Sequence, residues 1–97
     1  MELEKKIASK TQERFEKGAR EVMLRERLKT IEKELGESDE DSEVKELYDK
    51  LRKAKMPEDI AEKAEKEIRK LAQMNQFNPE AGYIRNYLDW LLSVPVQ

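Results

Sequence analysis

The strongest constraint on the fold is a long stretch, residues 3–35, that contains no proline and only one glycine, Gly18. Several glutamates in this stretch precede a lysine or arginine by four positions, as in Glu13/Lys17 and Glu16/Arg20, and this orientation stabilises a helix. A single helix over these residues would be roughly 50 Å long. The remainder of a 97-residue chain is too short to cover a helix of that length, so part of it is predicted to project into solvent.

The apolar residues of this helix form two rows on opposite sides. The C-terminal row consists of Leu24, Leu28, Ile31 and Leu35, and the N-terminal row consists of Ala8, Thr11, Phe15, Ala19 and Val22. Because successive helical residues are rotated by about 100°, the two halves of the helix are predicted to face different partners. Extending the C-terminal row towards the N-terminus meets four charged residues in succession, Glu21, Lys17, Arg14 and Lys10, which argues against one continuous two-stranded coiled coil.

The rest of the chain predicts three shorter helices, each indicated by apolar residues that recur every three or four positions. The expected buried positions are Val44, Leu47, Tyr48 and Leu51 in the first, Ile60, Ala64, Ile68 and Leu71 in the second, and Ile84, Tyr87, Leu88 and Leu91 in the third. Pro57 and Pro79 are each placed at a first helical position, where proline is favoured, and Pro95 ends the last helix.

The predicted fold class is all-α, with one long projecting helix whose C-terminal part packs with three shorter helices in a small bundle. The helices are expected at about residues 3–35, 43–55, 57–74 and 79–94, so that residues 1–23 project and residues 24–95 form the bundle. An acidic loop, residues 36–42, follows the long helix. Gly36 is expected to cap the long helix, and Asp41 or Ser42 is expected to cap the next one.

Composition excludes several classes of function. The chain has no cysteine and no histidine, which removes thiolate chemistry and the commonest metal ligand and general base. It contains no glycine-rich phosphate-binding loop, and its serines (Ser9, Ser38, Ser42 and Ser93) lie in no nucleophile motif. We therefore expect no catalytic, cofactor-binding or metal-binding residue in this chain. No apolar run is long enough for a membrane span or a secretory signal, so a cytoplasmic or organelle-matrix location is expected.

The charge distribution argues against nucleic acid binding. The formal net charge is −2, and the acidic excess lies between residues 36 and 43. Lys6, Lys10 and Arg14 form a row along the first helix, but Glu13 and Glu16 interleave with them. A solvated helix face is favoured over a phosphate-binding surface.

Phe15, Ala19, Val22 and Met23 are the candidate contacts for a partner or a substrate. They lie on the side of the long helix that the bundle is not expected to cover, and clustered exposed apolar residues usually mark a binding surface. The partner is an adjoining domain, a neighbouring subunit or an unfolded protein. An adjoining domain is favoured over direct substrate binding.

A second candidate surface lies on the last helix, where Arg85, Asn86, Asp89 and Trp90 are the candidate contacts to another domain. Arg85, Asn86 and Asp89 offer hydrogen-bond donors and acceptors on one face. The alternative for the charged residues is a surface pair between Arg85 and Asp89 of little energetic value. For Trp90, as for Tyr83, the alternative is semi-buried packing within the bundle.

Three segments resemble one known family. Residues 20–37 (REVMLRERLKTIEKELGE) are similar to a helix of the Lon-type ATP-dependent proteases, and residues 83–92 (YIRNYLDWLL), which lie shortly before Pro95, resemble the segment that precedes the ATPase module in that family. Between them, Met56-Pro57 stands where the family commonly has a Met-Pro or Val-Pro helix start. The chain differs at Val96, where the family usually has tryptophan.

The resemblance implies a non-catalytic helical connector between an N-terminal substrate-recognition domain and the ATPase module of a hexamer. For the parent protein it implies ATP-driven unfolding and proteolysis of damaged or regulatory proteins by a Ser-Lys dyad that lies outside this chain. It also implies that ATP and magnesium are bound in the parent protein and not in this segment. The alternative interpretation is a free-standing helical adaptor that binds an amphipathic partner through the Phe15 row.

Overall fold

The chain folds into four helices in a computed structural model that describes residues 1–36 and 42–93. Helix α1 spans Glu2–Leu35, α2 spans Ser42–Ala54, α3 spans Glu58–Gln73 and α4 spans Pro79–Ser93. The predicted fold class is confirmed, because the long helix packs with three shorter ones. Most of the predicted acidic loop, Asp41, Pro95 and Val96 lie outside the described residues.

The helix ends follow local backbone chemistry. Pro57, which was predicted to be the first helical residue, is instead the N-cap of α3, and its carbonyl accepts the N–H of Ala61 at 2.9 Å. The side chain of Asn78 accepts the N–H of Glu80 at 2.9 Å and so caps α4. Gly36 ends α1 with φ −63°, and therefore without the left-handed backbone typical of a C-terminal glycine. Lys55, after α2, has the left-handed φ of 52° instead.

The core lies between the C-terminal third of α1 and the three shorter helices. Its buried apolar residues are Leu24, Leu28, Val44, Leu47, Tyr48, Leu51, Ala61, Ala64, Ile68, Leu71, Ala81, Ile84 and Leu88. Leu51, Ile68 and Leu88 are its largest fully buried side chains. The four positions on α2 that were predicted to be buried, Val44, Leu47, Tyr48 and Leu51, are all in this core.

Two of the residues predicted to be buried lie at the edge of the core instead. Ile60 and Tyr87 are each 38% exposed. On α3 the buried face is centred closer to Ala61 and Glu65 than the apolar pattern indicates. Glu65 occupies a buried position because an arginine of α1 neutralises its charge, and a purely hydrophobic pattern cannot detect such a residue.

Helix α1 has an exposed half and a packed half. Every residue from 1 to 17 is exposed, and Leu24 is the first buried residue of the helix. The helix is continuous through Gly18, which supports a projecting arm of fixed direction. The longest dimension of the molecule is consequently 61 Å, against 27 and 22 Å for the others.

Candidate functional site

The first candidate surface, which we call the α1 stripe, consists of Phe15, Ala19, Val22 and Met23. Phe15 is 74% exposed, Val22 53% and Met23 72%, and Ala19 is also exposed. Leu24 and Leu28 lie on the opposite side of the same helix and are buried in the bundle. The α1 stripe is therefore an apolar surface that the described part of the bundle leaves open to solvent.

Ion pairs between helices hold the packed half of α1 in place. The guanidinium of Arg20 contacts Glu58 of α3 at 3.2 Å, and that of Arg27 contacts Glu65 of α3 at 2.7 Å. Arg20 and Arg27 are one heptad apart and point from the same side of α1. These contacts fix the direction of the arm relative to α3.

A third inter-helix pair joins α1 to α2. Arg52 donates to the buried carboxylate of Glu32 at 2.6 Å and to Asp49 at 3.0 Å. The hydrogen bond to Glu32 raises the pKa of Arg52. The hydrogen bond with Lys53 holds the pKa of Asp49 below its ordinary value. Both shifts favour the charged forms of Arg52 and Asp49.

These three inter-helix ion pairs were not predicted from the sequence. The signal available was weak: Glu32 and Glu65 stand beside apolar positions of their helices, where an acid is unfavourable without a cation. Their partners lie 20 and 38 residues away along the chain. Helical periodicity relates residues within one helix and cannot assign such partners.

Tyr48 lies in the core, close to the charges of Glu65 and Arg27. Its side chain is 3% exposed. Burial raises the pKa of the Tyr48 hydroxyl, and the nearby charge of Glu65 raises it further.

The raised pKa of Tyr48 predicts that alkaline pH destabilises the fold. The ordinary value for tyrosine is 10.0, so the unfolded chain loses this proton before the folded chain does. The contribution of the protonated Tyr48 hydroxyl to the free energy of unfolding is fully present below pH 10.0 and is lost as pH rises through the pKa of Tyr48 in the folded chain. The measurement is the thermal midpoint between about pH 8 and about pH 11 for the wild type and Tyr48→Phe. The thermal midpoint of the wild type should fall more steeply with pH than that of Tyr48→Phe. Titration of the lysines affects both proteins, so equal slopes would contradict the assignment to Tyr48.

The second candidate surface lies on α4. Arg85 donates to Glu43 of α2 at 2.6 Å, so its guanidinium ties α4 to the start of α2. Asn86 and Asp89 are exposed. Trp90 is 64% exposed and Tyr83 is 74% exposed, so neither ring is packed in the core. An exposed aromatic face with adjacent polar groups is suited to contact another protein surface.

The two surfaces present apolar, aromatic and polar side chains to solvent. Within residues 1–36 and 42–93, no group of three acidic side chains is arranged to hold a metal ion. In the same described part of the chain, no helix combines the length and hydropathy needed to cross a bilayer. What the geometry offers is an apolar stripe on the arm and an exposed aromatic and polar face on α4.

The fold defines an all-α segment in which one long helix has a packed half and an exposed half. No protein-family model matches the chain. The chain is 49% identical over 96 residues to the Lon protease of Syntrophomonas wolfei and 46% identical over 95 residues to Lon protease 1 of Thermus thermophilus. It is 45% identical over 95 residues to the Lon protease of Fervidobacterium nodosum. These alignments cover 97 to 98% of the chain.

The chain is therefore a segment of the Lon protease family, which confirms the family indicated by its sequence motifs. It spans about 12% of the length of these three relatives.

Proposed function

We propose that the chain is the non-catalytic helical connector of a Lon-like ATP-dependent protease. In this proposal α1 carries a substrate-recognition domain on its projecting half, and the bundle joins that arm to the ATPase ring. The α1 stripe contacts the adjoining domain, a neighbouring subunit or an unfolded substrate. Arg85, Asn86, Asp89 and Trp90 contact the ATPase module.

The observation that carries the proposal is the two-sided character of α1. A helix that is held at one end by Leu24, Leu28 and three ion pairs can transmit position along its axis only while it remains one rigid rod. The α1 stripe lies on the side of α1 away from the buried Leu24 and Leu28, where it is available to a second domain.

For the parent protein we propose ATP-driven unfolding followed by serine-type proteolysis of damaged or regulatory proteins, in a hexamer located in the cytoplasm or an organelle matrix. ATP, magnesium and the Ser-Lys dyad belong to other domains in this proposal. Nucleic acid and membranes are not proposed as partners of this segment. The alternative is a free-standing helical adaptor, and only the exposed α1 stripe supports it. This alternative does not explain why the sequence matches one segment of much longer Lon proteases.

A test of the connector role compares two insertions of equal length in the full-length protease. One places seven helix-forming residues between Lys10 and Thr11, and the other places seven glycine and serine residues there. Seven residues advance a helix by nearly two turns, so the helical insert keeps the relative orientation of the two ends. The flexible insert removes the fixed position and is expected to slow degradation of a folded substrate by about tenfold.

ATP hydrolysis and cleavage of a short unstructured peptide serve as controls in the same proteins. Both should be retained with either insert, because neither requires a positioned substrate domain. Equal degradation of the folded substrate by the two insertion variants would contradict the connector role.

A further inference from the structure

A cavity lies on the side of α1 opposite the α1 stripe, where the helix crosses the turn between α2 and α3. Its volume is about 330 Å³, which is at the lower end of the range for ligand pockets. Its apolar lining comes from Leu24, Leu28, Leu51, Met56, Pro57 and Ala61. The cavity is thus large enough to receive one bulky apolar side chain, and it opens to solvent.

The rim of the cavity carries an excess of positive charge. Lys17, Arg25 and Lys55 line it, and across the described residues none of their charged groups lies within 4.0 Å of a carboxylate. Against these three cations the rim has one unpaired acid, Glu21. The other two charged groups of the rim are already engaged, Arg52 with Glu32 and Glu58 with Arg20.

The backbone conformation of Lys55 is a second indication of a binding site at this rim. Lys55 has φ 52°, a left-handed conformation that glycine or asparagine adopts at lower cost than lysine. Lysine at this position therefore places a positive charge on the rim, although glycine or asparagine there would make the fold more stable. Strained backbone of this kind is more frequent at binding sites than elsewhere.

We propose that this cavity binds an acidic protein segment that inserts one large aliphatic or aromatic side chain. The apolar lining accommodates the inserted side chain, and the three rim cations attract carboxylates that flank it. The lining contains no aromatic ring on which a nucleic acid base could stack. The small volume of the cavity limits the contact to a single anchor residue. This site is separate from the α1 stripe and from α4, and it does not depend on the connector role.

The test uses the whole 97-residue chain and three fluorescent peptides of equal length. The first alternates glutamates with leucines, the second replaces each leucine with serine, and the third replaces each glutamate with glutamine. Fluorescence anisotropy should show saturable binding of the first peptide below about 1 mM. Raising the salt concentration to about 0.3 M should weaken this binding, because the rim charges are exposed. The serine and glutamine peptides should bind more weakly.

A charge-reversed double variant, Lys17→Glu with Arg25→Glu, removes the attraction and should weaken binding of the first peptide by about tenfold. Both residues are exposed, so the fold should be retained, and circular dichroism verifies this. The matched control is Lys63→Glu with Lys66→Glu on the exposed face of α3, which changes the net charge by the same amount. Equal loss in the two double variants would overturn the proposal, as would no saturable binding by the wild type or equal binding of the serine peptide.

Methionine methyl NMR locates the peptide on the protein. Met56 lines the cavity, whereas Met23 is 72% exposed on another side of α1. Addition of the first peptide should shift the methyl resonance of Met56 and leave that of Met23 in place. A shift of Met23 without a shift of Met56 would place the peptide on the α1 stripe and overturn the proposal.

Discussion

Leu88→Ala is expected to lower the free energy of unfolding by about 2 to 5 kcal/mol. Leu88 is 0% exposed and is among the largest fully buried side chains, so its removal leaves a cavity in the centre of the bundle. A core assembled from so few residues has limited stability to lose. Urea denaturation followed by circular dichroism measures the change.

The matched control is Leu3→Ala in the projecting half of α1. Leu3 is 65% exposed, and the same loss of atoms there should change the free energy by no more than about 0.5 kcal/mol. If Leu88→Ala does not fold, Ile68→Val provides a milder test, with an expected loss of about 0.5 to 1.5 kcal/mol. A core variant as stable as the wild type would show that the assigned helix face is wrong.

The helix faces were predictable because burial repeats with the period of the helix. Leu24 and Leu28 on α1, and Ile84 and Leu88 on α4, are buried as the spacing of apolar residues indicates. The opposite position of Phe15 followed from the same geometry. Periodicity fails at the edges of a face, where Ile60 and Tyr87 are partly exposed, since the width of the buried stripe depends on the neighbouring helix.

The polar contacts were not predictable from the sequence. Arg85 has an acidic residue four positions later, Asp89, yet in the folded chain it pairs with Glu43 of α2. A sequence pattern relates Arg85 to Asp89 because it describes one helix, whereas the packing of α4 against α2 decides which carboxylate is closer. The cavity beside Lys55 was missed for the same reason, because its lining residues come from three helices and a turn.

The roles of the two candidate surfaces remain predictions. The exposure of the α1 stripe and of Trp90 is what a partner surface requires. An exposed apolar surface is suited to an adjoining domain and to an unfolded chain alike.

The second large effect is expected from Arg27→Met, which leaves the carboxylate of Glu65 without its partner. The Glu65 side chain is 5% exposed and lies 2.7 Å from the Arg27 guanidinium. A buried charge without a counterion is costly. Because the Arg27 side chain is itself 53% exposed, solvent moderates the cost, and we expect a loss of about 1 to 3 kcal/mol in the free energy of unfolding. Urea denaturation at neutral pH measures it.

Two further variants separate the loss of the ion pair from the loss of the arginine side chain. Arg20→Met makes the same change one heptad earlier, where Glu58 is more exposed, and should cost no more than about 1 kcal/mol. The double variant Arg27→Met with Glu65→Met removes both charges and should recover most of the loss, because an apolar pair replaces the ion pair without leaving a buried charge. If the double variant is as unstable as Arg27→Met alone, the cost does not arise from the unpaired carboxylate. The Arg27–Glu65 pair would then contribute to α1 docking through the packing of the arginine side chain, and not through its charge.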